Sequence, residues 1–133
     1  MDCIFCQIVA GTVPSYRVYE DEHAIAFLDI APSCHGHTLV VPLQHAAELD
    51  DITAGDLAMT AQATQAVARI LRSKLQADGL NVQQNNGAAA GQLVFHYHVH
   101  LLPRWSNDGG VSLHRRGETN HAELAELAAF LKS

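Results

Sequence analysis

A chain of 133 residues, 48% hydrophobic and 17% charged, has the size and make-up of one globular domain with a single core. Its formal net charge of −6 argues against a protein that coats nucleic acid. No apolar run approaches the ~20 residues of a membrane span, the start lacks a secretion signal, and three cysteines do not suit a disulfide framework, so a cytoplasmic protein without a membrane partner is expected.

Cys3-x-x-Cys6 comes first. In a reducing compartment this spacing suits half of a metal site or a redox pair, and equally two small buried hydrophobes. A thioredoxin-like motif follows a strand, and none precedes this one. Beyond a turn closed by Pro14, Arg17 to Tyr19 and Ala24 to Leu28 read as short strands joined by Glu20-Asp21-Glu22. Asp29 follows, where a carboxylate either binds the paired hydroxyls of a ribose or caps the next turn. Gly36 to Pro42, almost wholly apolar, reads as a central third strand with His37 at its start. His45 is a candidate ligand or a residue leading into the next helix. Cys34 and His35 receive no role.

The spacing predicts one long helix over Ile52 to Ala77. Thr53 is its N-cap with Asp56 three residues on, and Gly79 is its stop. Leu57, Ala61, Thr64, Ala68, Leu71 and Leu75 form the expected packed stripe. Leu80 to Asn85 reads as a fourth strand. The small-residue loop from Asn85 to Gln92 follows, and its backbone amides could approach an anion closely, although the same composition serves an ordinary hairpin.

His96-Tyr97-His98-Val99-His100-Leu101-Leu102 alternates polar and apolar residues with a period of two. On a strand the three imidazoles share one side, roughly 6.5–7 Å apart, while Phe95, Tyr97, Val99 and Leu101 enter a core. Imidazole is distinctive near neutral pH as nucleophile, proton shuttle or metal ligand. After a turn at Asn107 to Gly110, Asn120 to Leu131 reads as a closing helix with Asn120 and Glu123 as a capping pair. This order of elements predicts an α+β fold: a mainly antiparallel sheet of about five strands with one long helix and a C-terminal helix.

The motif His-φ-His-φ-His-φ-φ (φ apolar) at His96 to Leu102 resembles the signature of the histidine-triad, or HIT, superfamily of nucleotide hydrolases and transferases. Cys3 to Ile8, Phe27-Leu28-Asp29-Ile30, Gly36 to Pro42, Asn85-x-Gly87 and Gly91-Gln92 are similar, in the same order, to its small bacterial and Hint-like branch. The resemblance covers nearly the whole chain, read as a single HIT domain over 1–133. It implies a homodimer whose sheets join, with a cleft for a purine nucleotide on each subunit. By that resemblance His98 attacks the α-phosphorus, His100 and His37 orient it and contact phosphate, Asp29 binds the ribose, and Asn85, Gly91 and Gln92 form the phosphate and leaving-group loop. Cys3, Cys6, His45 and His96 correspond to a structural zinc site of some bacterial members, a donor set suited to tetrahedral Zn²⁺.

Leu93 departs from the pattern, standing where relatives carry a Ser or Thr that donates to phosphate or leaving group. Trp105 lies too early to match the C-terminal Trp of Hint relatives, which leaves the 106–118 tail the least transferable part. The leading expectation is hydrolysis of a nucleoside 5′-phosphoramidate or related nucleotidyl conjugate through a His98 adduct, with dinucleoside polyphosphate cleavage as a variant. Two others are a nucleotide-binding regulatory dimer with little turnover, which Leu93 motivates, and a metalloenzyme whose triad itself holds a catalytic ion.

Overall fold

The computed structural model describes residues 2–133. Strands β1 (Arg17–Glu20), β2 (Ala24–Leu28), β3 (Thr38–Pro42), β4 (Gly79–Gln83) and β5 (Val99–Arg104) form one sheet in the order β1-β2-β3-β5-β4. Every pairing is antiparallel. Helices α1 (Ile4–Ala10), α2 (Ala54–Leu75) and α3 (His121–Lys132) accompany it. The α+β expectation is met.

Period-two alternation gives the central strands two packed faces. Ala24, Ala26, Leu28, Val40, Val99 and Leu101 lie beneath Ala63, Val67 and Leu71 of α2 and Leu124, Ala128 and Leu131 of α3. The residues between them, Ile25, Phe27, Leu39 and Val41, meet Phe5 and Ile8 of α1 on the other side. Withdrawal of both faces from water explains why β2 and β3 are unbroken apolar runs. Burial of one Val67- or Leu71-sized side chain contributes about 1.5–3 kcal/mol. The thinner covering on the α1 side leaves room for a cleft.

Several local expectations shift. Thr53 does cap α2, accepting from the Asp56 amide at 3.1 Å. The helix stops at Leu75, however, because Gln76 takes the left-handed C-cap (φ 51°), and Gly79 opens β4 instead. The buried stripe of α2 is Thr60, Ala63, Val67 and Leu71, while Ala61 is exposed. Alanines on several faces of this helix made the register of the stripe ambiguous by a residue. Strand β4 ends at Gln83, two residues short of Asn85.

Helix α1 had no counterpart in the sequence reading. Its N-cap is Cys3, whose sulfur accepts from the Cys6 amide, and Gly11 (φ 82°) ends it by donating to the Gln7 and Ile8 carbonyls. The triad segment also differs. Strand pairing begins only at Val99, and 92–98 runs irregularly, anchored by the Tyr97 amide on the Ala46 carbonyl at 2.6 Å. Tyr97, Val99 and Leu101 enter the core as expected, but Phe95 precedes the strand and is 45% exposed.

Candidate active site

A cleft of about 540 Å³ lies on the α1 side of the sheet. Its walls are Phe5 and Ile8 of α1, Phe27 and Leu39 of the sheet, the loop around Gly91, and the segment carrying Leu113, His114 and Arg116. His98 and His100 form part of its lining. All three triad histidines are buried, as are His37 and Asp29.

Hydrogen bonds fix which nitrogen of each ring carries the proton. His98 Nδ1 lies 2.7 Å from the His96 carbonyl, which can only accept, so Nδ1 donates and the lone pair sits on Nε2. His37 Nδ1 accepts from the Ser33 amide at 3.0 Å, which puts its proton on Nε2, and Nε2 then donates to His100 Nδ1 at 2.9 Å. His100 therefore keeps its own proton on Nε2, free to donate to an oxygen. A relay of this kind presents one basic and one donating nitrogen to the cleft.

Burial keeps these rings neutral. It pushes His37 down to about 3, and the nearby Arg116 guanidinium, and His98 once protonated, push the same way. His100 is likewise held at about 3, by burial first and then by His98 and His37. His98 is shifted down by burial, opposed by its bond to the His96 carbonyl and by Asp29.

Asp29, at the end of β2, does cap the turn: Oδ1 accepts from the Ala31 amide at 2.9 Å. It also receives Arg116, whose Nη2 reaches Oδ1 at 2.7 Å and Oδ2 at 2.8 Å. Arg116 went unassigned in the sequence; 87 positions separate it from Asp29, and an Arg-Arg pair in a polar tail carries no periodic signal. Asn85 and Gly91 line the cleft, and Gly91 is left-handed (φ 92°) at the end of the Ala88–Ala90 turn. Gln92 is buried and its amide is committed elsewhere. Its oxygen accepts from Gly87 at 2.7 Å, and its nitrogen donates to the carbonyls of Ala47 (2.7 Å) and Val94 (3.0 Å). It thus holds the loop in shape. Leu93, 79% exposed, stands at the lip of the cleft and offers no donor.

Cys3, Cys6, His45 and His96 converge beside the cleft, with their donor atoms all within 4.8 Å of one another. His96 Nε2 donates to the Pro42 carbonyl at 2.9 Å, which leaves Nδ1 unprotonated and facing the sulfurs. That Nδ1 lies 3.4 Å from Cys3 Sγ, 3.5 Å from Cys6 Sγ and 3.3 Å from His45 Nδ1. Tetrahedral bonds of about 2.3 Å to sulfur and 2.0–2.1 Å to nitrogen require N···S edges near ~3.5 Å and N···N edges near ~3.3 Å, so the three edges that meet at His96 already stand at metal-binding spacing. Without an ion, burial and the neighbouring Cys3 push the Cys6 thiol up to about 11. A bound cation reverses that.

Asp29, His37 and His100 form a second convergent group. Its hydrogen bonds are wrong for a metal. His37 presents a proton at Nε2, the atom facing His100, because its Nδ1 lone pair is taken by Ser33. His96 also turns both nitrogens away from His98, toward Pro42 and the cysteines. The arrangement does not fit an ion shared within the triad.

A family model for the HIT domain matches residues 10–107. An uncharacterised HIT-like protein of Methanocaldococcus jannaschii is 42% identical over 130 residues, 98% of each chain. The crystal structure of a zinc-bound histidine triad family protein from Mycobacterium smegmatis superposes with a TM-score of 0.85 at 42% identity, covering 98% of this chain and 94% of that one. The adenylylsulfatase HINT3 of Arabidopsis thaliana is 32% identical over 134 residues, 98% of this chain and 68% of the plant protein. The buried histidine relay thus sits in a fold and a sequence shared with these proteins, and the chain belongs to the histidine-triad (HIT) family.

Proposed function

We propose that this protein cleaves nucleoside 5′-phosphoramidates or related nucleotidyl conjugates at the α-phosphorus, through a nucleotidyl-His98 intermediate. The observation that carries the reading is the 2.7 Å bond from His98 Nδ1 to the His96 carbonyl. It leaves a lone pair on Nε2 of a cleft-lining ring and stabilises the positive charge that grows on the imidazole as it attacks. In the first step a bond forms between His98 Nε2 and phosphorus while the bond to the leaving amine breaks, and the amine takes its proton from solvent. Water then attacks phosphorus and gives up a proton to solvent, the P–Nε2 bond breaks, and the nucleoside monophosphate leaves with the neutral His98 ring restored. His100 Nε2–H, fixed by His37, donates to a non-bridging oxygen in both steps.

Asp29 retains capacity for the ribose. A carboxylate has about four lone-pair sites, and three are engaged, by Ala31 and twice by Arg116. Asn85 and Gly91 shape the phosphate side, with Gln92 behind them. The Cys3/Cys6/His45/His96 group holds Zn²⁺, which supplies a structural clamp and no chemistry. The whole chain is one HIT domain and works as a homodimer; β4 is an open sheet edge, with Val82 58% exposed.

The test is intact-mass spectrometry after brief, non-acid quenching with a fluorogenic adenosine phosphoramidate, comparing wild type with His98→Ala. A nucleotidyl mass on wild type alone, with fluorophore released, is expected. Equal release by both proteins would remove His98 as nucleophile. Leu93 favours the second reading, a nucleotide-binding dimer with little turnover: nucleotide binding with neither adduct nor release would select it. The 32% relationship to an adenylylsulfatase makes adenylyl sulfate a conjugate to include in the substrate panel.

A further inference from the structure

We infer that Arg116 is an anion-binding residue of the cleft, anchored on Asp29 and presenting its remaining N–H groups to a phosphoryl or sulfuryl group of the bound nucleotide. This rests on the nucleotide reading above and adds to it the group that meets substrate charge.

The argument begins with charge. Of the residues lining the cleft, Arg116 is the only lysine or arginine. Of the relay, His37 and His100 do not share that charge, because burial holds both neutral. Its guanidinium lies close enough to both rings to lower their proton affinity further. Among the described residues, a nucleotide phosphate entering here meets one side chain whose positive charge is permanent.

Geometry leaves that charge available. A guanidinium carries five N–H donors in a planar fork. Both contacts to Asp29 are made by Nη2, while Nε and Nη1 take no hydrogen bond among the described residues. The side chain is 34% exposed, whereas the Asp29 side chain is 6% exposed, so a buried carboxylate anchors a guanidinium that solvent and ligands reach. The backbone beside it is fixed as well. The Gly117 amide donates to the Pro32 carbonyl at 2.7 Å, and a Cβ at 117 would stand 2.6 Å from that oxygen. Only glycine lets the chain pass there and hold Arg116 over Asp29. Leu93, also in the lining, cannot donate, so Arg116 adds a donor to the cleft that Leu93 does not.

Calorimetric titration of wild type and Arg116→Gln with adenosine, AMP and the α,β-methylene analogue of ADP tests this. Adenosine affinity is expected to stay within about twofold, while a phosphate-bearing ligand weakens by about 10- to 100-fold, the scale of one charge-assisted hydrogen-bonded contact. Loss already seen with AMP assigns Arg116 to the α-phosphate; loss confined to the ADP analogue assigns it to an anionic leaving group. Equal change for all three ligands, or none, overturns the inference and leaves Arg116 a structural partner of Asp29. Wild type that binds none of the three removes the nucleotide reading itself. Should Arg116→Gln fail to fold, the Arg116 Nε–H resonance of ¹⁵N-labelled wild type gives the same answer. It should move with AMP or the ADP analogue and not with adenosine, and a resonance indifferent to phosphate would overturn the proposal.

Discussion

His98 shows how little of a residue's chemistry lies in its identity. One backbone carbonyl claims Nδ1 and burial disfavours the charged ring, and these two facts are what suit it to the proposed nucleophile's role. Replacement by alanine should abolish turnover while leaving nucleotide affinity within a few-fold, since the remaining cleft walls are untouched; kcat and Kd measured separately check this. Because burial lowers His98 below the ordinary imidazole value of about 6.5, the acid limb of kcat/KM should lie below that pH. A limb at or above it would contradict the buried, neutral ring. The histidines were legible because alternation is a local pattern, visible in seven consecutive residues. Arg116 was not, since its partner is 87 positions away and only the closed fold brings them together. Gln92 was expected in the phosphate loop, yet its three hydrogen bonds run inward, and no pattern in the chain reveals which way an amide turns.

At the scale of elements, the sequence located β2 to the residue and α2 to within two residues at each end. It missed α1 entirely. A seven-residue helix has too few turns to show a period, and its cap is a cysteine rather than the usual Ser, Thr, Asp or Asn. That cap is also a member of the proposed zinc-binding group, which ties the helix to it. Cys3→Ser with Cys6→Ser should lose bound zinc, read by elemental analysis, and lower Tm by several degrees. Wild type purified without chelator and free of zinc would remove the metal assignment. Thr53→Ala in α2 should cost about 1 kcal/mol in chemical denaturation, the usual worth of an N-cap side chain.

Across the whole molecule, buried neutral histidines make the fold sensitive to acid. His37 and His100 sit near about 3 when folded and return to about 6.5 when unfolded, so between those values the unfolded chain binds more protons. Their contribution is complete above about pH 6.5 and is lost as pH falls toward 3, by up to ~1.4 kcal/mol per histidine per unit. Urea midpoints at pH 7.5 and 5 should therefore fall with acid, and the same comparison in His37→Asn should fall less. Stability unchanged over that range would mean these rings are not buried and neutral in solution. The proposed dimer belongs to the same scale, and sedimentation at micromolar concentration should give twice the 14.4 kDa chain mass.

The Phe5 ring of α1 stands edge-on to His98, with centroids 5.1 Å apart and planes at 87°. It touches His96 and Phe27 in the same fashion, at 6.0 and 5.4 Å. The helix bearing this ring is tied down by the Cys3 and Cys6 sulfurs, so whatever loosens them frees a wall of the His98 pocket. Different purifications would then differ in specific activity in step with their ion content, and the protein would pass for a metalloenzyme in any assay that follows rate alone. Reloading stripped protein with zinc, cadmium or cobalt separates the two cases: a clamp gives one rate per filled chain whatever the ion, whereas an ion at work on substrate gives three.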